Sequence, residues 1–209
     1  MKKALLVRGG WAGHEPFPVS EILGKALREH GFEVEFSETL DVFKDKDKLA
    51  KLDLIVPLWT MGKIERDQLA GLLEAVKGGV GIGGVHGGMG DAFREATEYQ
   101  YMVGGQWVAH PGNDGVRYMV HIEPTDSPIT AGLKDFEVVS EHYYMHIDPA
   151  IRVLATTQFG DVVMPVTWTK HYGKGRVFYC SLGHVAKVFD IPEALTMTVR
   201  GLLWAAEKD

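Results

Sequence analysis

The chain is almost without cysteine. Cys180 is the only one, which excludes an internal disulfide and fits a reducing cytosol. Positive charge is not in excess either: 22 lysines and arginines stand against 28 acidic residues, a net charge of -6 with histidine neutral. That balance gives no electrostatic case for binding nucleic acid or an anionic membrane surface, and it suits a small neutral or cationic ligand. Long hydrophobic runs are missing. Met1-Lys2-Lys3 leads directly into Ala4-Leu5-Leu6-Val7, too short a run for a signal peptide or a membrane span, so a cytoplasmic protein is expected. No repeat, low-complexity tract or linker divides the chain, and its 209 residues suit one domain, 1–209, with a sizeable core.

What the chain does contain is an alternation of short apolar runs and amphipathic stretches. Strands are expected over Lys3 to Arg8, Phe32 to Phe36 and Leu52 to Pro57, with helices marked by Val19, Ile22, Leu23, Ala26 and Leu27 and by Leu69, Leu72, Leu73 and Val76. Strand followed by helix, repeated in this way, implies a parallel, doubly wound α/β sheet. The second half reads as β-rich, with runs at Arg117 to Ile122, Phe136 to Val139, Val153 to Thr156, Val162 to Trp168 and Arg176 to Cys180. A short helix is expected from Asp91 to Tyr99, a loop from Gly104 to Gly112, and a last amphipathic helix behind a capping box at Asp190-Ile191-Pro192-Glu193. The expected fold is flavodoxin-like: a three-layer, mainly parallel sheet with β-rich insertions on one side.

The most informative stretch is Gly79 to Gly90. Val80, Ile82 and Val85 alternate with glycines, as in a buried strand over which other backbone packs closely, and Gly84-Val85-His86-Gly87-Gly88 has the G-x-His-x-G form of a nucleophile elbow with histidine at its centre. The expectation is a strained strand-to-helix turn with His86 solvent-facing above the sheet edge. The same pattern also serves a glycine-rich turn that carries no chemistry. Other polar residues just beyond expected strands are His14 and Glu15, His110, Glu141 and His142, His146, and His184. Ligands of open α/β sheets bind at that edge. His30, His121 and His171 read instead as cap, strand and turn residues.

No nucleophile accompanies these groups. Cys180 lies inside an apolar strand, where it behaves as a small core hydrophobe, and nothing activates Ser181, which argues against an acyl-enzyme mechanism. Imidazole can serve as general acid or base, or as a neutral metal ligand, and two histidines with Glu141 would satisfy a three-ligand zinc pattern. Trp11, Trp59, Trp107, Tyr143 and Trp168 fall in or near the same loops, where aromatic faces could stack on sugar rings, while Trp204 on the last helix is expected in the core.

Gly84-Val85-His86-Gly87-Gly88, Gly104-Gly105 with His110-Pro111, Ser127-Pro128-Ile129 leading to Gly132-Leu133, Glu141 with Tyr143, and Gly173-Lys174-Gly175-Arg176-Val177 through Ser181-Leu182-Gly183-His184 together resemble the ThuA-like (trehalose utilisation) family over nearly the whole chain. That family is similar in fold to class I glutamine amidotransferases. The resemblance places His86 at the amidotransferase nucleophile position and His184 near the triad histidine. With the cysteine absent, it implies no glutaminase activity. It does imply a role in carbohydrate metabolism: an enzyme acting on a disaccharide or its oxidised (keto) derivative by acid-base chemistry from His86, Glu141 and His184. Trp11, His14, Trp59, His110 and Tyr143 are the candidate substrate-binding residues, and His86 and His184 the candidate ligands of a divalent metal such as zinc. The expected partner is a small-molecule sugar, with no nucleic acid and no membrane, and with a homo-oligomer open. Two alternatives stay open: a non-catalytic sugar-binding or regulatory domain on the same scaffold, and a subunit that supports a partner enzyme.

Overall fold

The computed structural model describes residues 1–208. Among them, eleven strands and six α-helices follow one another, with short 3-10 turns between. The order begins β1 (Lys2–Gly10), α1 (Pro16–Glu29), β2 (Phe32–Ser37), α2 (Lys46–Leu49), β3 (Leu54–Thr60), α3 (Arg66–Lys77), β4 (Gly81–Val85), α4 (His86–Gly90) and α5 (Thr97–Val103). It continues with β5 (Gly105–Ala109), β6 (Val116–Ile122), β7 (Phe136–Ser140), β8 (Tyr144–Ile147), β9 (Arg152–Phe159), β10 (Val162–Tyr172), β11 (Gly175–Cys180) and α6 (Pro192–Ala205). Nine strands form one sheet in the order β2-β1-β3-β4-β11-β10-β9-β6-β7. From β2 to β11 neighbouring strands run parallel; from β11 to β7 they run antiparallel. The architecture is mixed α/β.

The hydrophobic pattern explains why each half of the sheet is built as it is. Along β1, Ala4 and Leu6 join the core shared with Leu23 and Leu27 of α1 and Met197 and Leu202 of α6. Leu5 and Val7 join the opposite core, shared with Leu72 and Val76 of α3 and Met102 and Val103 of α5. A strand covered on both faces needs an unbroken apolar run, which is what β1 and β3 supply. In β6, by contrast, Tyr118 and Val120 are buried while Arg117, Met119 and His121 are exposed, the period-2 pattern of a strand covered on one face.

The glycines of β4 let α6 pack directly onto the strand. A Cβ at Gly81 would lie 1.9 Å from the carbonyl oxygen of Ala205, so only hydrogen fits there. This close approach holds the start of β4 against the end of α6.

Several local expectations are corrected. The helix expected from Asp91 to Tyr99 is divided: α4 begins at His86 itself, residues 91–96 form an irregular turn, and α5 starts at Thr97. The turn is held by backbone bonds, since Met61 N–H donates to Asp91 O and Phe93 N–H to Met61 O, and helix continuation would break both. The loop expected from Gly104 to Gly112 contains β5, which pairs antiparallel with β8 in a two-stranded sheet and gives the His142 to His146 segment its place. No capping box forms before α6. Ile191 is the N-cap without a side-chain bond, because Asp190 closes the preceding 3-10 turn, while Pro192 does occupy the first turn. Trp168 is fully buried within β10 and donates its indole N–H to Val103 O, so it belongs to the core and not to a loop. Trp204 packs against the core from its margin, half-buried, with the Arg176 guanidinium 5.1 Å from the centre of its ring.

Gly81→Ala is expected to fold with reduced stability, by about 1–3 kcal/mol for an overpacked site, which a thermal melt reads as a fall of several degrees. A variant melting like the wild type would show that α6 can withdraw from β4 at no cost.

Candidate active site at the sheet edge

Parallel strands β1, β4 and β11 end at the same edge, and each delivers one histidine there. His14 closes the 3-10 turn Ala12–His14 after β1, His86 stands at the first position of α4 directly after β4, and His184 follows β11 by four residues. The backbone of His86 has φ 45°, the left-handed region that few non-glycine residues enter, as the elbow pattern implies. Gly87 is needed beside it: a Cβ there would come within 2.4 Å of the His14 ring. Only with hydrogen at that position can His14 lie across the turn.

The expectation that His86 faces solvent is corrected, since it is only 1% exposed. The connection between β7 and β8 folds back over the elbow and covers it. Tyr143 from that connection stacks on the imidazole at 4.0 Å between ring centres, and Glu141 brings its carboxylate to the ring edge.

Three imidazoles surround one carboxylate oxygen. Glu141 Oε2 lies 3.0 Å from His86 Nε2, 3.4 Å from His184 Nδ1 and 3.7 Å from His14 Nε2. Its other oxygen, Oε1, lies 3.8 Å from His110 Nε2. Among the described residues every ion-pair contact of Glu141 is to a histidine, and no lysine or arginine reaches it. The ligand atoms of His14, His86, Glu141 and His184 all fall within 4.8 Å of one another, a grouping of the kind that could hold a metal ion.

Hydrogen bonds orient two of the rings from behind. His86 Nδ1 lies 2.7 Å from the carbonyl oxygen of Ser181, and His14 Nδ1 lies 2.8 Å from Thr60 Oγ1. The sequence marks Ser181 only as a serine that nothing activates, and it gives no role to Thr60. Their part is set by strand neighbours, and no local motif signals it. His184 Nδ1 is buried with no hydrogen-bond partner among the described residues.

Burial lowers the pKa of His86 to about 4, against the opposing pull of the hydrogen bond to Glu141, and burial likewise lowers that of His184. For Glu141, burial pushes the carboxyl up, but hydrogen bonding with His14 and His86 outweighs it and leaves the group below the usual carboxylate range. At neutral pH the centre is therefore an ionised carboxylate facing neutral His86 and His184.

The remaining candidates are distributed around this centre. Trp11 is 48% exposed and packs edge-on against His14, at the rim. His110 is half-buried between Trp107 and Tyr143, and the Arg94 guanidinium, ion-paired with buried Asp91, lies over the Trp107 ring. Tyr143 is buried, so its ring supports His86 and offers little face to a ligand. The Trp59 indole covers Gly9 and Gly62 and packs on the core. His142 stacks between Tyr118 and Phe159, and His146 is exposed on β8. Cys180 is fully buried beneath the edge, hydrogen-bonded with Thr167, and burial pushes its thiol up, the opposite of an activated nucleophile.

A model of the ThuA family, described as trehalose utilisation, matches residues 3–205. The chain belongs to this family. Solved ThuA-like proteins share its fold: one from Parabacteroides merdae at 20% identity, covering 98% of this chain and 90% of that one with a TM-score of 0.78. Another, from Bacteroides uniformis, is 16% identical, with 100% and 92% covered and a TM-score of 0.83. A protein of Salmonella typhimurium described as cytoplasmic is 14% identical, with 99% and 100% covered and a TM-score of 0.73. No curated protein matches the chain significantly. Among the described residues no helix is long and apolar enough to cross a membrane.

The titration directions fix the sign of a pH effect. Because His86 in the folded state binds its proton only near pH 4, below the ordinary 6.5, the stability it contributes is complete above 6.5 and is lost as pH falls towards 4. His184 and His142, lowered by burial, act in the same direction, and Glu141 adds a further loss below its ordinary 4.5. Melting temperature should fall steadily between pH 7 and pH 4, and His86→Asn should flatten that slope. An unchanged slope in the variant would mean that His86 is not the neutral, buried group described.

Proposed function

We propose that the protein is a cytoplasmic enzyme of sugar catabolism, acting on a disaccharide or its oxidised keto derivative at the centre formed by His14, His86, Glu141 and His184. The observation that carries this reading is the convergence of three imidazoles on one ionised carboxylate at a strained strand-to-helix turn, in a chain of the trehalose utilisation family. The strand order supports a flavodoxin-like scaffold of the amidotransferase type, with the antiparallel strands as its insertion. A cleft without a carboxylate beside His86 would favour a non-catalytic sugar-binding domain, and Glu141 stands there at 3.0 Å.

A centre with a carboxylate and imidazoles but no nucleophile suits proton transfer. In a keto sugar the hydrogen on the carbon next to the carbonyl is acidic. Its removal by a base, with a proton delivered to the leaving or enolate oxygen, is lyase or isomerase chemistry. Protonation of a glycosidic oxygen would be hydrolase chemistry from the same groups. Trp11, 48% exposed at the rim, offers a flat apolar surface on which a sugar ring can pack.

Trehalose and its keto derivatives are the first substrates to assay. Glu141→Gln and His86→Asn should each retain a cooperative melt yet lose about 100- to 10,000-fold in turnover, the usual cost of removing an acid-base group. Wild-type turnover in both folded variants would exclude this centre as the place of reaction.

A further inference from the structure

His86 has a hydrogen-bond problem that protein groups alone do not solve. Its Nδ1 faces a carbonyl oxygen and its Nε2 faces a carboxylate oxygen, so each ring nitrogen meets an acceptor at 2.7 and 3.0 Å. A neutral imidazole has one N–H. If Nδ1–H donates to Ser181 O, the Nε2 lone pair points at Glu141; if Nε2–H donates to Glu141, the Nδ1 lone pair points at the carbonyl. One of the two contacts is then lone pair against lone pair unless positive charge is added at the centre.

The other two histidines repeat the demand. His14 uses Nδ1 on Thr60 and turns Nε2 towards the same carboxylate oxygen, and His184 turns towards it a buried Nδ1 that has no partner. A carboxylate oxygen accepts about two hydrogen bonds, so three nitrogens converging on Oε2 are more than it can satisfy as an acceptor, whereas a cation among them would engage every lone pair.

We infer that these four side chains are the ligands of a divalent transition-metal ion, of the zinc class, bound between His14 Nε2, His86 Nε2, His184 Nδ1 and Glu141 Oε2. This rests on the reading that the cluster is the protein's reactive centre, and it specifies what occupies it. Tetrahedral ligands ~2.0–2.1 Å from a zinc ion are separated from one another by about 3.3 Å. The three nitrogen-to-oxygen separations of 3.0, 3.4 and 3.7 Å bracket that value. Three imidazoles and a carboxylate are the ligands that borderline divalent ions such as zinc take, whereas calcium and magnesium prefer all-oxygen shells. The outer shell fits as well: ligating histidines ordinarily donate their other N–H to a carbonyl or a similar acceptor, and such acceptors stand at Nδ1 of His86 and His14 in Ser181 O and Thr60 Oγ1. The ion also supplies the positive charge that buried Glu141 otherwise lacks. With these four groups engaged as ligands, His110, 3.8 Å from the free carboxylate oxygen Oε1 and partly open to solvent, stands at the rim of the shell.

The test loads metal-free full-length protein with zinc, and separately with cobalt(II), at neutral pH, followed by gel filtration and elemental analysis. About one equivalent of metal per chain is expected, with intense visible cobalt bands of four-coordinate type. His14→Gln, His184→Gln and Glu141→Gln should each weaken zinc binding at least as much as the ~10- to 100-fold caused by losing an outer-shell partner. His121→Gln, which alters an exposed histidine paired with Asp135, should bind like wild type. Wild type retaining well under one equivalent of both metals would overturn the assignment, as would equal retention by the three ligand variants. Should a ligand variant not fold, wild-type cobalt spectra still decide, because absent or weak six-coordinate bands contradict this shell. Stoichiometric metal with no turnover of trehalose or its keto derivatives would leave the metal centre standing and remove the sugar assignment. Full turnover by metal-free protein would do the reverse.

Discussion

A carboxylate taken out of water has to be met by positive charge or by hydrogen-bond donors, and the site is arranged around that requirement at Glu141. Glu141 is 5% exposed, and among the described residues its ion-pair contacts are all to imidazoles. An arginine would satisfy such a group permanently and leave it inert. Histidines satisfy it conditionally, since their charge and their lone pairs depend on what else is bound. The left-handed backbone of His86, the missing Cβ of Gly87 and the Tyr143 ring all serve to hold nitrogen atoms against that one oxygen.

The two halves of the chain contribute different things to this arrangement. The parallel half supplies a common edge at which β1, β4 and β11 deliver His14, His86 and His184. The antiparallel half supplies the covering segment that carries Glu141 and Tyr143 between β7 and β8. Neither half contains the centre. The helix α6 packs so closely on the start of β4 that only hydrogen fits at Gly81, which seats the strand that carries the elbow.

Much of the parallel half can be read in the sequence, because strands covered on both faces must be continuous apolar runs and their helices must show one apolar stripe. The elbow can be read too, since its pattern of small residues reflects a local steric need. The burial of His86 cannot. Its cover comes from Glu141 and Tyr143, more than fifty positions away, and no local period records that contact. The same reason hides β5, whose partner β8 lies beyond two intervening strands, and the membership of His14 in the cluster, which depends on the absence of a side chain at Gly87. The Asp190 pattern misleads in the opposite sense: a valid local cap signal is overridden because the preceding 3-10 turn already uses that residue.

The separation of these residues along the chain has a consequence for how the centre comes into being. His86 and the Ser181 carbonyl are 95 positions apart, and Glu15, next to His14, accepts a hydrogen bond from the Ala186 amide 171 positions away. Closing a loop of that first size costs about 4 kcal/mol of chain entropy beyond a constant, from the (3/2)RT ln n dependence. That cost is recovered only when β11 docks between β4 and β10. Until that docking occurs the elbow histidine lacks the carbonyl that orients it, so the geometry of the centre is a property of the assembled sheet and of no shorter segment of it.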